Sequence, residues 1–435
     1  MIIRSRRVWI SNRFVPAALE VAGTKINRVL PYDFPDSADT PSPGKAVGSA
    51  HAARSDNAER SADPEIIDLG SLRLVPGFID IHTHGAYGEN LMYAGEDGIA
   101  RWQAALPSEG VTAFLPTTDT KPIDQLVAIL SRTADVADRD NPGAEILGIH
   151  LEGPFVAHEY KGAQQPDDIL APSVEVFNRL QDAARGRIRI VTMAPERDPD
   201  FAMIRALSED GVVVSMGHSA ASFEQVSAAV ANGARSFTHV GNAMRGLHHR
   251  EPGVLGAALY FRDVYGEIIV DANHVNINVV KLFFTNKGAD YGILVTDSLA
   301  QKGLPAGDQV YVNGDNYYVI DADGGAYLID PDEGKARLAG APAPPLDPDR
   351  PRTLAGSTLK TNDGLRRLID EIGLSWETAL NAATINPARL LGLDRSKGRL
   401  YAGYDADIVA LDEDFNVVRV WCRGRPAELR SYVRS

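Results

Sequence analysis

The sequence predicts an α/β protein, in which a (β/α)8 TIM-like barrel carries a small β-sandwich domain built from both chain termini. The chain has 435 residues, which is too long for one ordinary domain but suits a barrel with a small companion. Apolar strand-like runs alternate eight times with helical patterns between residues 77 and 297. Parallel strands joined by crossover helices close naturally into a barrel. Further strand-like segments lie outside this stretch, at both ends of the chain.

The N-terminal part of the small β-domain spans residues 1–73. Strand-like segments at 7–10, 18–22 and 25–30 are separated by turn residues. Residues 33–64 are rich in Asp, Ser, Ala, Pro and Gly and have almost no large apolar side chains. This composition predicts a mobile surface insertion.

The barrel is predicted to span residues 74–396. Its eight strand-like runs are 77–84, 111–117, 145–152, 187–195, 212–218, 236–242, 267–274 and 292–297. Helical patterns between them include 97–106, 123–136, 174–184, 223–231 and 276–285. Turn signals at Asn313-Gly314 and Asp323-Gly324 predict a β-meander insertion at about 306–352. The tail, residues 397–435, is strand-like and is expected to join the N-terminal strands in one domain.

The composition excludes several classes of binding partner and cellular location. A net charge of -14 argues against a nucleic acid or an anionic membrane as partner. The single cysteine, Cys422, excludes an internal disulfide and fits a reducing compartment. Neither a signal peptide nor an apolar run of membrane-spanning length is evident. We therefore expect a cytoplasmic protein.

The stretch from Phe78 to His84 ends in two histidines two residues apart. Residues i and i+2 share one face of a strand, so both imidazoles can face a common metal ion. Other barrel runs also end in polar side chains, and six of the 10 histidines lie at run ends. The candidate metal and acid/base set is His82, His84, Glu152, His218, His239 and Asp297.

Histidine and carboxylate ligands on an open site suit Zn, Fe or Mn. Such an ion lowers the pKa of a bound water toward ~7 and makes hydroxide available near neutral pH. Asp297 then suits a general base that takes the water proton and returns it to a leaving group. The alternative for each residue alone is a buried, hydrogen-bonded polar side chain. A fold has no structural need for so many converging imidazoles, and the set therefore favours a metal site.

The pattern resembles the amidohydrolase superfamily and, within it, the N-acetylglucosamine-6-phosphate deacetylase family. The most specific stretches are His-Leu-Glu-Gly-Pro-Phe at 150–155, Asn-Ala-Met at 242–244 and Arg-Glu-Pro-Gly at 250–253. Further matching stretches lie at 76–85, 110–117, 161–164, 193–196, 217–219, 238–241, 296–297 and 354–357. The tail motif Gly-Tyr-Asp-Ala-Asp-Ile-Val is common to many amidohydrolases.

The resemblance implies a divalent cofactor, Zn or Fe, with one or two ions per subunit. Glu152, His218 and His239 would bind the first ion, and His82 and His84 would bind a second, with Glu152 as a possible bridge. Asp297 would be the catalytic acid/base.

The resemblance also implies the residues that contact the substrate. They are Gln164, Asn242, Ala243, Arg250 and His274, with Arg250 reaching the phosphate from the neighbouring subunit of a homodimer. Arg250 lies in a basic cluster of an otherwise acidic chain, and an arginine fork suits a phosphate dianion.

The implied reaction is hydrolysis of the acetamide of N-acetyl-D-glucosamine 6-phosphate. Two alternatives stay open at this point. One is the galactosamine epimer or another N-acyl substrate, and the other is a catalytically inactive amidohydrolase-fold binding protein. The chain departs from the family at Gln164, where some members have histidine, at Ala272, where glycine is usual, and in a longer region at 301–352. A glutamine can donate the same hydrogen bond as histidine but cannot carry a proton.

Overall fold

The structure is a computed structural model that describes residues 1–34, 65–314, 316–322, 324–340 and 353–429. All but the first two residues of the insertion predicted at 33–64 lie outside these ranges. Residues 341–352, at the end of the predicted meander insertion, lie outside them as well.

The strands of the described residues number from β1 to β23 in chain order. They are β1 Ile2–Ile10, β2 Arg13–Ala22, β3 Lys25–Pro31, β4 Ile66–Asp68, β5 Arg73–Pro76, β6 Phe78–Thr83, β7 Gly85–Ala86, β8 Glu89–Asn90, β9 Val111–Pro116, β10 Glu145–Ile146, β11 Ile149–Glu152, β12 Ile188–Met193, β13 Val213–Met216, β14 Ser236–Phe237, β15 Tyr265–Ile269, β16 Gly292–Val295, β17 Gly307–Asn313, β18 Asn316–Ile320, β19 Gly325–Ile329, β20 Thr353–Ser357, β21 Ile408–Leu411, β22 Val417–Cys422 and β23 Arg425–Pro426.

The α-helices in the same described ranges number from α1 to α11. They are α1 Glu96–Ala105, α2 Ile123–Ala137, α3 Val174–Ala183, α4 Ala202–Glu209, α5 Phe223–Ala231, α6 Gly253–Tyr260, α7 Ile277–Lys287, α8 Pro331–Leu338, α9 Thr361–Arg366, α10 Trp376–Ala383 and α11 Ile385–Leu390. Among the described residues, none of these helices has both the length and the apolar character needed to cross a membrane.

Eight parallel strands form the predicted barrel. β6 pairs with β9, and β11 to β16 pair in chain order. Single bridges, Thr117 to His150 and Thr83 to Ser298, join these two groups and close the ring. The strands are buried almost throughout because helices cover the outside and side chains fill the inside. The barrel prediction is confirmed.

Both chain ends contribute to one eight-stranded sheet, as the sequence indicates. Its order is β23-β22-β21-β5-β1-β2-β3, with β4 paired to β1. Side chains from the two ends, among them Ile3, Leu19, Ile408 and Trp421, pack in one core cluster. The tail is therefore held by strand pairing and by buried apolar area together.

The region after the eighth barrel strand forms a four-stranded antiparallel sheet, β17-β18-β19-β20. The β17–β18 hairpin pairs Asn313 with Asn316, which places its turn at the predicted Asn313-Gly314 step. Gly314 has a positive φ of 59°, and an added Cβ there would meet the Tyr93 ring. The hairpin tip therefore needs glycine in order to approach the barrel loop that carries Tyr93.

A buried ion pair joins the loop after β16 to the segment before β9. Lys302 Nζ lies 2.8 Å from Glu109 Oε1, and both side chains are 0% exposed. Glu109 Oε2 also accepts a hydrogen bond from the Thr361 backbone N–H. Removing the cation leaves a buried carboxylate without its partner.

We expect Lys302→Met to destabilise the protein by about 3–5 kcal/mol, because breaking one side of a buried pair costs more than the pair itself contributes. Urea unfolding measures the change. The control is Arg179→Met, which breaks an exposed pair with Asp124 and should cost less than about 1 kcal/mol. Equal effects for the two variants would show that burial of the Lys302 pair has no energetic consequence.

Candidate active site

The candidate ligands gather at the carboxyl end of the barrel strands. His82 lies within β6, His84 follows it, and Glu152 is the last residue of β11. The other three each come two residues after a strand end, since β13, β14 and β16 end at 216, 237 and 295 and are followed by His218, His239 and Asp297. This rim is where barrel enzymes place their chemistry.

Three of these residues have unusual backbone conformations. His218, His239 and Asp297 have φ values of 47°, 27° and 48°. A positive φ is uncommon for residues with a Cβ and costs about 1–3 kcal/mol. The fold maintains this strain at three separate strand ends, where each turn directs a side chain inward. Such strain is typical of functional sites.

Glu152 is the centre of the cluster. Its Oε1 atom lies 3.1 Å from both His218 Nε2 and His239 Nε2 and 3.4 Å from His82 Nε2. Its Oε2 atom lies 3.4 Å from His84 Nε2. One carboxylate thus faces four imidazoles that come from three other strand ends.

Asp297 approaches the same group from β16. Its Oδ1 atom lies 3.1 Å from His84 Nε2 and 3.6 Å from His82 Nε2. The opposite nitrogen of His84, Nδ1, lies 2.9 Å from Asp119 Oδ1. His84 therefore lies between Asp119 on one side and Asp297 and Glu152 on the other.

Outer contacts fix the orientation of two further rings. His82 Nδ1 lies 2.9 Å from Glu267 Oε2, and His218 Nδ1 lies 2.8 Å from the Tyr160 carbonyl oxygen. With Nδ1–H donating outward, each ring turns its Nε2 atom toward Glu152. Metal-binding histidines are oriented in this way by their second nitrogen.

The carboxylates determine the protonation of the cluster. Burial alone would lower the pKa of His82, but Glu152, Glu267 and Asp297 raise it to about 9. The pKa of His84 is likewise raised, against burial, chiefly by Asp119. Burial opposes ionisation of Glu152, yet His218 and His82 bring its pKa well below the usual value. For Asp297, His82 and His84 outweigh burial and lower the pKa to about 2. These carboxylates are ionised and require positive charge beside them.

The donor set fits a metal ion. His82 Nε2 is buried and has no hydrogen-bond partner among the described residues. His218 Nε2 and His239 Nε2 lie 3.1 Å apart, an arrangement in which two lone pairs repel unless a cation or proton lies between them. Ligand atoms of His82, Glu152 and His239, and of His82, His84 and Asp297, lie within 4.8 Å of one another. Imidazole and carboxylate donors in this number suit a divalent transition metal.

A cavity of about 230 Å³ opens onto the cluster. Four of the predicted substrate residues line it, namely Gln164, Asn242, Ala243 and His274. The fifth, Arg250, does not line the cavity of its own chain. Its side chain is exposed, and its Nη1 atom lies 2.7 Å from His249 Nε2. A single chain therefore brings together every predicted site residue except Arg250.

Sequence reasoning gave no role to Asp119 or Glu267. Asp119 follows the second strand at the same rim, which is the signal that could have identified it. Glu267 lies inside an apolar run, and a buried carboxylate needs a partner. His150 lies within β11 and is a core residue. Its two nitrogens bond Ile81 O and Thr192 Oγ1, and burial followed by His82 lowers its pKa to about 4.

Comparison with known proteins matches this chain to amidohydrolases and to amino-sugar-phosphate deacetylases. The profile of the amidohydrolase family matches residues 73–427. The N-acetylglucosamine-6-phosphate deacetylase of Bacillus subtilis (strain 168) is 38% identical over 357 residues, which cover 81% of this chain and 84% of the relative. The N-acetylgalactosamine-6-phosphate deacetylase of Escherichia coli O157:H7 is 33% identical, with 81% and 87% covered. The crystal structure of N-acetyl-D-glucosamine-6-phosphate deacetylase from Mycobacterium smegmatis superposes with a TM-score of 0.79 at 31% identity and covers 98% of this chain and 100% of that chain.

Proposed function

The chain belongs to the amidohydrolase family and, within it, to the N-acetylglucosamine-6-phosphate deacetylases, and on this basis we propose that it hydrolyses the acetamide of N-acetyl-D-glucosamine 6-phosphate. The products are D-glucosamine 6-phosphate and acetate. The observation that carries the proposal is the convergence of four imidazoles on the buried Glu152, with Asp297 beside them. The single cysteine also supports a cytoplasmic location.

Glu152, His218 and His239 are proposed to hold one divalent ion, Zn or Fe. His82 and His84 are proposed to hold a second ion, and both oxygens of Glu152 face histidines, as a bridging carboxylate requires. When bound, a divalent ion in this site lowers the pKa of water and polarises a carbonyl oxygen. Glu267, Tyr160 and Asp119 keep the ligand rings oriented.

Gln164 is proposed to orient the substrate amide. Its Oε1 atom accepts a hydrogen bond of 2.6 Å from the Thr120 backbone N–H, which fixes which end of the amide group is NH2. Its Nε2 atom donates to Glu152 Oε2 at 2.8 Å. The second N–H of Nε2 remains to donate to the substrate carbonyl oxygen.

Asp297 is the proposed acid/base. It is ionised because His82 and His84 lower its pKa to about 2, and it can therefore accept a proton from the attacking water. It would return this proton to the departing nitrogen, since an amine leaves more readily than an amide anion. Burial of the cluster keeps competing water away from this transfer.

The sugar phosphate is proposed to lie along Asn242, Ala243 and His274, with Arg250 of a second copy of the chain on the phosphate. Arg250 is exposed in one chain, and exposed apolar side chains lie on the adjoining loop and helices. They are Leu247, Tyr260, Val279 and Leu282. Leu247 packs beside Gly256 of α6, and α6 packs against α7. An apolar surface of this kind next to an exposed arginine supports a homodimer.

A complementation experiment tests the trans role. Arg250→Ala and Asp297→Asn homodimers should each be nearly inactive, but subunits exchanged between them should recover about a quarter of wild-type activity. Half of the random dimers are then mixed, and each of those has one complete site. As the control, each variant is taken through the same exchange procedure without the other variant. An exchanged mixture that stays inactive would show that Arg250 acts within its own chain, and an active Arg250→Ala homodimer would show that it has no role.

The galactosamine epimer is a second candidate substrate, because one relative at 33% identity is an N-acetylgalactosamine-6-phosphate deacetylase. Comparing kcat/KM for the two epimers under identical conditions distinguishes them. A clear preference for the glucosamine form supports the proposal, and the reverse preference replaces it with the second candidate.

Acetate release tests the reaction itself. The purified protein, reconstituted separately with Zn or Fe, should release acetate from N-acetylglucosamine 6-phosphate in step with its metal content. A folded, metal-loaded protein that releases none from either epimer would contradict the proposal and favour an inactive binding protein.

A further inference from the structure

Asp271 contacts His274, which lines the active-site cavity, and has no role in the reaction described above. It follows β15 by two residues and is buried at 7% exposure. Its Oδ2 atom lies 2.6 Å from His274 Nδ1. Its Oδ1 atom accepts hydrogen bonds of 2.9 Å from the backbone N–H groups of Asn273 and His274. Both oxygens of Asp271 therefore hold the turn that presents His274.

The backbone of this turn is strained. Ala272 has a φ of 67°, which a residue with a Cβ rarely adopts. The three contacts of Asp271 over-determine the conformation and so maintain it. Because Nδ1 is bound to Asp271, the ring can offer only Nε2 to the cavity that His274 lines.

The charges around His274 favour its protonated form. Burial alone would lower the pKa of His274, but Asp271 raises it, and Asp297 contributes in the same direction. On the far side of Asp271 a second cavity is lined by Asp363, Arg366 and Arg367. Both arginines pair with Glu371, so that among the described residues His274 is the cation paired with Asp271.

We propose that Asp271 is a positioning residue, which fixes the His274 ring and keeps it a cation, so that Nε2 donates a hydrogen bond to the sugar phosphate. The protonation state of His274 decides whether its Nε2 atom donates or accepts in this contact. An imidazolium carries a proton on both nitrogens, whereas a neutral ring with Nδ1–H has an acceptor at Nε2 that repels an anionic oxygen. The role rests on the proposed function, since it concerns how that substrate is held.

The test compares KM and kcat of Asp271→Asn with those of the wild type. A hydrogen bond to a charged group contributes enough for KM to rise about tenfold to a hundredfold when the charge is lost. We expect this rise with kcat unchanged, with a metal content equal to that of the wild type and with a single cooperative urea transition. A fall in kcat without a rise in KM would overturn the proposal.

His274→Gln provides the matched background, because a glutamine donates a hydrogen bond at every pH and needs no carboxylate partner. Asp271→Asn should therefore have no further effect on KM in this background. An effect as large as in the wild-type background would show that Asp271 acts only through the fold.

The pH profile gives an independent readout. Wild-type KM should rise as pH rises past the elevated pKa of His274, because the ring then loses its charge. In Asp271→Asn the rise should come at lower pH, since Asp297 alone then opposes the effect of burial on the His274 pKa. His274→Gln should lose this rise, and this prediction remains testable even if Asp271→Asn does not fold. Wild-type acetate release, measured first, separates failure of this role from failure of the proposed function.

Discussion

Asp297→Asn is expected to reduce kcat by about 10²–10⁴-fold, the contribution usual for a positioned acid/base. Asparagine has nearly the same shape as aspartate but cannot accept or return a proton. Its amide oxygen can still occupy the position 3.1 Å from His84 Nε2, so metal content should stay at the wild-type level. Acetate release and elemental analysis on the same sample measure both quantities.

Asp119→Asn is the matched control for Asp297→Asn. Asp119 also contacts His84, at 2.9 Å, but on the opposite ring nitrogen and with a partly exposed side chain. Substitution of such an outer partner typically costs 10–100-fold in metal affinity or activity. If Asp119→Asn removed as much kcat as Asp297→Asn at saturating metal, the acid/base role would have to be reassigned.

Glu152→Gln is expected to abolish metal binding and, with it, acetate release. Among the described residues, Glu152 alone contacts all four imidazoles of the cluster. Its replacement removes the central negative charge of both candidate ion positions. The affinity loss should exceed the 10–100-fold that an outer partner contributes. Metal stoichiometry of the wild type, measured in parallel, gives the number of ions per subunit.

Glu267→Gln tests whether the loss of metal affinity is specific to Glu152. Glu267 is equally buried and contacts His82 Nδ1 at 2.9 Å, but on the side away from Glu152. Its variant should lose only about 10–100-fold in metal affinity and should recover activity at high metal concentration. Full metal content in Glu152→Gln would contradict the assignment of Glu152 as a ligand.

Much of the fold follows from local sequence patterns. Predicted helices at 123–136 and 223–231 agree closely with Ile123–Ala137 and Phe223–Ala231, because amphipathic spacing is a local property. The sixth and seventh strand-like runs extended to 242 and 274, whereas β14 and β15 end at 237 and 269. Apolar runs do not show where the backbone leaves the strand. β14 and β15 end before their apolar runs do, and the residues that follow them form part of the site.

The sequence by itself determined the barrel and the donor set. A fold needs no converging imidazoles, so polar residues after successive buried strands predicted which residues would meet. Only the tertiary structure decided how they meet. The positive φ values of His218, His239 and Asp297, the outer carboxylates Asp119 and Glu267, and the exposure of Arg250 depend on contacts between residues far apart in the chain. No local pattern encodes such contacts, because their free energy arises only when the ring of strands has closed.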